Sequence, residues 1–225
     1  MERILTEQEL VRRGKIEKLV ELGIKPFGHR FDRTDSSQSI RDYAENLTKE
    51  QLEEAPHIVS TAGRIMFIRK MGKASFFNIQ DQTGQMQAFI QRDAVGEEVY
   101  DLFKSADLGD IVGIKGEVMR TKTGEITVKV QEYTHLVKAL KPLPEKYHGL
   151  TDVEERYRRR YVDLIVNEEA RRVAFLRPRI IRAIQRYLDG QGYVEVETPV
   201  LQPILGGANA RPFITHHNTL DKDFY

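Results

Sequence analysis

Between residues 57 and 137 the hydrophobic pattern changes period, and no other stretch restricts the fold as tightly. HIVSTAGRIMFI, ASFFNIQD, QMQAFIQ, DIVGIKGEVMR and EITVKVQEY are five β-like runs. Met86, Ala88 and Ile90 alternate with Gln85, Gln87 and Gln91, and Ile126, Val128 and Val130 alternate with Thr127, Lys129 and Gln131. Such alternation buries one face and leaves the other in water. Gln82-Thr83-Gly84 and Lys122-Thr123-Gly124 supply glycine-bearing hairpin turns, and Val95 to Lys104 has helical character between the third and fourth runs. Three strands, a helix and two strands are the order of a five-stranded Greek-key barrel, which binds oligonucleotides on its strand 2–3 face.

The flanks read differently. Thr6 and Glu9 form a capping box, and Gly23 stands where a helix would stop. Leu10, Ile16, Leu19 and Val20 make a thin apolar stripe, while Arg12, Arg13, Lys15 and Lys18 are basic. That helix is either a surface helix with a solvated face or a basic helix that touches a nucleic-acid backbone. Residues 24–56 are irregular, punctuated by Pro26, Gly28, Asp35, Ser36 and Ser37, with a short helix from Thr48 closed by Pro56. KALKPLPEKYHGL is a stiff linker. The domains expected are therefore 1–56, a helical extension; 57–137, the barrel; 138–150, a linker; and 151–225, a second domain.

In that second domain Asn167 is an N-cap, and Val173, Leu176, Ile180, Ile184 and Leu188 recur at helical spacing. Pro178 inside the pattern predicts a kink or break near Arg177. From Gly190 onward the chain reads as a helix exit, a strand, a glycine hinge and a second extended segment. The alternation is still running at Tyr225, where a strand would need a neighbour for its backbone groups. The expectation is the front part of a larger protein.

With no cysteine, disulfides and zinc-thiolate sites are excluded, and a reducing compartment fits. No stretch approaches 18 apolar residues and the start lacks an apolar signal core, so a cytoplasmic location is expected, with no membrane partner. The net charge of +1 gives no global polyanion signal.

The outward face of the barrel is the first candidate for chemistry. Phe76 on the second strand could stack on a base, while Gln87 on the third and Glu125 before the fifth could read its hydrogen-bonding edge. Phe76 and Phe77 are adjacent, so only one points outward, and a core Phe76 with a merely exposed polar pair is the competing reading. Arg64, Arg69, Lys70 and Lys73 around the first hairpin could hold phosphates, or form a solvated charge cluster. Arg156, Arg158, Arg159 and Arg160 could bind phosphate, or pair with Glu154, Glu155 and Asp163. The hinge Gly206-Gly207-Ala208 allows close backbone approach to a small ligand, or is a simple turn. His216 and His217 are adjacent on a predicted strand and point to opposite faces, so no metal is assigned. No nucleophile triad, P-loop or dinucleotide fingerprint is present.

MGKASFFNIQD (71–81), KPLPEKYHGLTDVEERYRRRYVDLI (141–165) and GYVEVETPVLQPILGGANARPFITHHNTLDKDFY (192–225) resemble the N-terminal portion of bacterial class II lysyl-tRNA synthetases. The resemblance covers essentially the whole chain. It implies an α+β fold: an OB-fold anticodon-binding barrel with flanking helices, then the start of a class II antiparallel-sheet domain. It assigns Phe76, Gln87 and Glu125 to the anticodon's central uridine, with Arg69 beside them. It makes the long helix and the strand ending at Pro199 the motif 1 dimer interface, and places Gly206, Gly207 and Ala208 in the amino-acid pocket. Lysine tRNA, lysine, ATP, Mg²⁺ and a second copy of the chain are the implied partners and cofactors. Motifs 2 and 3, with their arginines and magnesium ligands, are not among these residues. No catalytic residue is therefore assigned, and no cofactor is expected to be bound by this chain alone. The alternative is a free-standing tRNA- or RNA-binding OB module without activity. An aspartyl- or asparaginyl-type synthetase is disfavoured by KPLPEKYHGL and GGANARPFITHHN.

Overall fold

The structure, a computed structural model, describes residues 4–144, 150–206 and 211–225. It forms two compact units, Met1–Gly149 and Leu150–Tyr225.

In the first unit three helices precede the barrel: α1 (Glu7–Glu21), α2 (Ser37–Ala44) and α3 (Lys49–Glu54). Each opens on a reciprocal cap, Thr6 with Glu9, Ser36 with Ser39 and Thr48 with Gln51. α2 lies in the stretch expected to be irregular. Its serines read as turn residues, yet they cap a helix that buries Ile40 and Ala44. α1 also departs from the expected solvated face. Arg12 is buried, and its Nη1 donates to the carbonyls of Leu108, Ala139 and Lys141 at 3.1, 3.1 and 3.3 Å. Lys15 pairs with Asp107 at 2.6 Å.

The barrel strands are β1 (Ile58–Met71), β2 (Ala74–Gln80), β3 (Gln85–Gln91), β4 (Ile111–Arg120) and β5 (Ile126–Val137), closed in the order β1-β2-β3-β5-β4. The short α4 (Arg92–Val95) and then α5 (Glu97–Ser105) connect β3 to β4. β3 and β5 run parallel and the other pairs antiparallel. Val59, Ile65, Phe77, Ile79, Met86, Ala88, Ile90, Val112, Ile114, Val118 and Val128 fill the barrel. α5 closes it with Tyr100 and Phe103, the latter 4.9 Å from the ring of Phe77. At Gly116 the strands approach so closely that a Cβ would lie 2.0 Å from the Lys129 carbonyl oxygen, so only glycine fits.

Lys138, the first residue expected in the linker, is buried against the barrel instead. Its ammonium reaches Asp110 at 2.8 Å and Asp107 at 2.6 Å. Burial alone would raise the Asp107 carboxyl pKa, but hydrogen bonds from Lys138 and Lys15 hold it below the usual carboxylate value.

The second unit holds α6 (Val153–Arg158), α7 (Arg160–Val166), α8 (Glu168–Gly190) and a hairpin of β6 (Thr215–His217) and β7 (Lys222–Phe224). α8 runs as one helix through Pro178, so the chain does not break there. Pro178 lacks an amide donor, so one bond of the helical ladder is missing there, and the helix itself opens on the Asn167 side chain, which accepts from the Ala170 amide. The strand expected before Pro199 is not formed: residues 193–199 carry no regular structure. An isolated extended segment has no ladder to satisfy it. The terminal residues find their partners upstream, β7 in β6 and Tyr225 in Gln202, whose amides and carbonyls exchange bonds of 3.0 and 2.9 Å.

Candidate nucleic-acid interface

The barrel's outer surface is set by strand register. After Ile65, β1 carries an extra residue, Met66, because Ile65 pairs with Ile79 but Phe67 pairs with Asn78. This bulge reverses the strand's alternation. Ile68 then packs against the core, and Phe67 and Arg69 face outward.

Two cross-strand rows follow. Phe67, Asn78, Gln87 and Thr127 form one. Arg69, Phe76, Phe89 and Lys129 form the other. Of the two adjacent phenylalanines, Phe77 is fully buried and Phe76 is outward and half-buried. Its ring lies 4.6 Å from that of Phe89 at an interplanar angle of 35°. A neighbouring ring fixes an aromatic platform at little entropic cost. Phe89 was not singled out from sequence, although the alternation of Met86, Ala88 and Ile90 inward already puts it on the outer face.

Gln87 is oriented by Thr127, whose hydroxyl donates to Gln87 Oε1 at 2.8 Å. Among the described residues the Gln87 amide nitrogen has no acceptor, so it is available to donate. Thr127 Oγ1 also lies 3.3 Å from the backbone carbonyl oxygen of Glu125. The backbone of Glu125 is held in the β4–β5 turn by bonds to Thr121, and its carboxylate is exposed.

The four cations of the first hairpin separate into two kinds. Arg64 donates to the Gly109 carbonyl at 2.8 Å, and Lys70 to that of Lys104 at 2.6 Å. Burial lowers both pKa values, partly offset for Arg64 by Asp110 and for Lys70 by Asp107. Arg69 and Lys73 are exposed and, among the described residues, have no ion-pair partner. The usable positive charge therefore lies at Arg69 and Lys73.

The other candidates fare unevenly. The arginine block pairs internally: Arg156 and Arg160 with the buried Asp163, Arg158 with Glu154 and Arg159 with Glu155. Gly206 has open space around its Cα, whereas Gly207 and Ala208 lie outside the described residues. Pro199 is exposed. Among the described residues no cluster of three or more His, Cys, Asp or Glu side chains could hold a metal ion, so Mg²⁺ is given no ligand here. No described helix is long and apolar enough to cross a membrane.

Comparison with known proteins bears on both units. Residues 59–136 match the OB-fold nucleic acid binding domain, and residues 152–225 match class II tRNA synthetases (D, K and N). The chain is 58% identical over 221 residues to a lysine–tRNA ligase of Enterococcus faecalis, covering 98% of this chain and 44% of that protein. It is 57% identical to the lysine–tRNA ligase of Lysinibacillus sphaericus and 55% identical to that of Bacillus cytotoxicus, with the same shares of each covered. The chain thus spans about 44% of the length of the curated relatives it matches.

Proposed function

Because this chain is homologous to the lysine–tRNA ligases along 98% of its length, we propose that its barrel holds the anticodon loop of lysine tRNA for an enzyme that joins lysine to that tRNA. The observation that carries this reading is the outward Phe76 ring, backed by Phe89 and flanked by an oriented amide and a free carboxylate.

The chemistry favours uracil. Its hydrogen-bonding edge offers carbonyl acceptors and one N–H donor. With the base stacked on Phe76, the Gln87 amide nitrogen donates to a carbonyl and the Glu125 carboxylate accepts from N3–H. Cytosine reverses the polarity at N3 and sets a lone pair against the carboxylate. An unpaired polar group of that kind costs about 1–3 kcal/mol. Arg69 and Lys73 hold the phosphates.

Lysine activation with ATP and Mg²⁺ belongs, in this reading, to the complete enzyme, a cytoplasmic homodimer. Pro199 and the apolar stripe of α8 lie at its dimer interface. Exposure of Val173, Leu176, Ile180, Ile184 and Leu188 supports a packing partner for that stripe. Gly206, with Gly207 and Ala208, lines the amino-acid pocket.

The test is binding of a lysine-tRNA anticodon stem-loop whose central uridine is replaced by cytidine. Affinity should fall by about 1–3 kcal/mol. Equal affinity for both stem-loops would remove Phe76, Gln87 and Glu125 from base recognition.

A further inference from the structure

We propose that Phe67 is a second base-stacking platform, so that the barrel face takes two successive unpaired nucleotides; this rests on the reading of the face as an anticodon-loop site. A lone exposed phenylalanine calls for no explanation. Phe67 differs through its register. It stands 48% exposed on the row of Asn78, Gln87 and Thr127, the same row that carries the oriented amide.

Its outward direction is the product of the Met66 bulge. In a regular strand Phe67 would share the inward face of Ile65 and meet the core. The extra residue sends Ile68 inward, opposite core Phe77, and delivers Phe67 to the surface. Bulges re-aim side chains in this way.

The geometry suits a splayed dinucleotide. Phe67 is the diagonal cross-strand neighbour of Phe76, a separation of ~7–8 Å. That exceeds the ~3.4 Å rise of stacked bases, so neighbouring bases would each take their own ring rather than stack on one another. Arg69 lies between the two platforms, two residues along β1 from Phe67 and opposite Phe76 in register. A guanidinium there meets the phosphate that joins the two nucleotides.

The chain contains no tryptophan, so Phe67→Trp and Phe76→Trp each install a single fluorophore. Both variants would be titrated with the lysine-tRNA anticodon stem-loop. Parallel titrations would use stem-loops made abasic at the central position or at either neighbour. We expect saturable quenching in both variants. An abasic centre should restore emission in Phe76→Trp, and an abasic site at one neighbour should restore it in Phe67→Trp. Phe67→Ala should weaken binding about tenfold with an unchanged circular dichroism spectrum, and Phe67→Tyr should bind as the parent does. Quenching of Phe76→Trp without any change in Phe67→Trp would overturn the second platform while leaving the anticodon reading intact. Absence of quenching in both, with no measurable affinity of the parent, would overturn the anticodon reading itself.

Discussion

Phe76 and Phe77 are chemically identical neighbours, and the barrel gives them opposite jobs. Phe77 is fully buried and packs on Phe103 at 4.9 Å. Phe77→Ala removes a complete core side chain and leaves a cavity, which costs about 3–5 kcal/mol of stability. Phe76 is partly buried on the outer face, so Phe76→Ala forfeits about 1–2.5 kcal/mol of burial, less than a full core phenylalanine, and opens no enclosed cavity. Loss of its contact with the Phe89 ring at 4.6 Å adds about 0.5–1.5 kcal/mol. In RNA binding the ranking inverts. Phe76→Ala should weaken capture of the anticodon stem-loop by about 1–3 kcal/mol. Phe77→Ala should leave the affinity of its folded fraction close to that of the parent. Urea denaturation followed by circular dichroism gives the stabilities, and fluorescence anisotropy of a labelled stem-loop gives the affinities. Equal destabilisation by the two substitutions, or undiminished binding by Phe76→Ala, would refute the assignment of an outer and an inner ring.

Two further outcomes concern the buried charges at the barrel's end. Lys138→Met strands the fully buried Asp110 without its cation and should cost about 3–5 kcal/mol in urea denaturation. Adding Asp110→Asn to that variant should recover part of the loss, because the uncompensated charge is removed. The histidine His135 contributes a pH dependence just below neutrality. Burial pushes its pKa below the ordinary value, with Asp110 opposing and Lys138 reinforcing the shift. The unfolded chain therefore takes up the proton first as pH falls below about 6.5. Stability should decline from about pH 6.5 down to the depressed folded value. His135→Gln should flatten that limb of the stability curve.

The barrel was legible because five runs alternate over enough residues for the period to be read. Parity was legible too, but not its sign where two phenylalanines sit together. Ser75 and Ile79 flank Phe77 at spacing two and are buried with it, and that pattern resolves the pair. The Met66 bulge was hidden because Ile65, Met66, Phe67 and Ile68 are all apolar, so a slipped register leaves no mark in the pattern. Lys15 appeared basic and exposed because its partner, Asp107, is brought to it only by tertiary folding. α2 was concealed by serines, which favour turns and caps alike until the buried Ile40 and Ala44 decide between them. Pro178 shows the converse, a local breaker that does not end its helix.

The Arg12 guanidinium has a consequence for the order of events at the ribosome. Its three carbonyl acceptors are separated from it by 96, 127 and 129 residues of chain. α1 is synthesised ahead of all three acceptors and cannot complete this docking until they follow. At translation rates of ~5–20 residues per second, its docking waits on the order of ten seconds for the acceptors to be synthesised. Until then the Arg12 guanidinium lacks the full set of carbonyls that holds it in the folded protein.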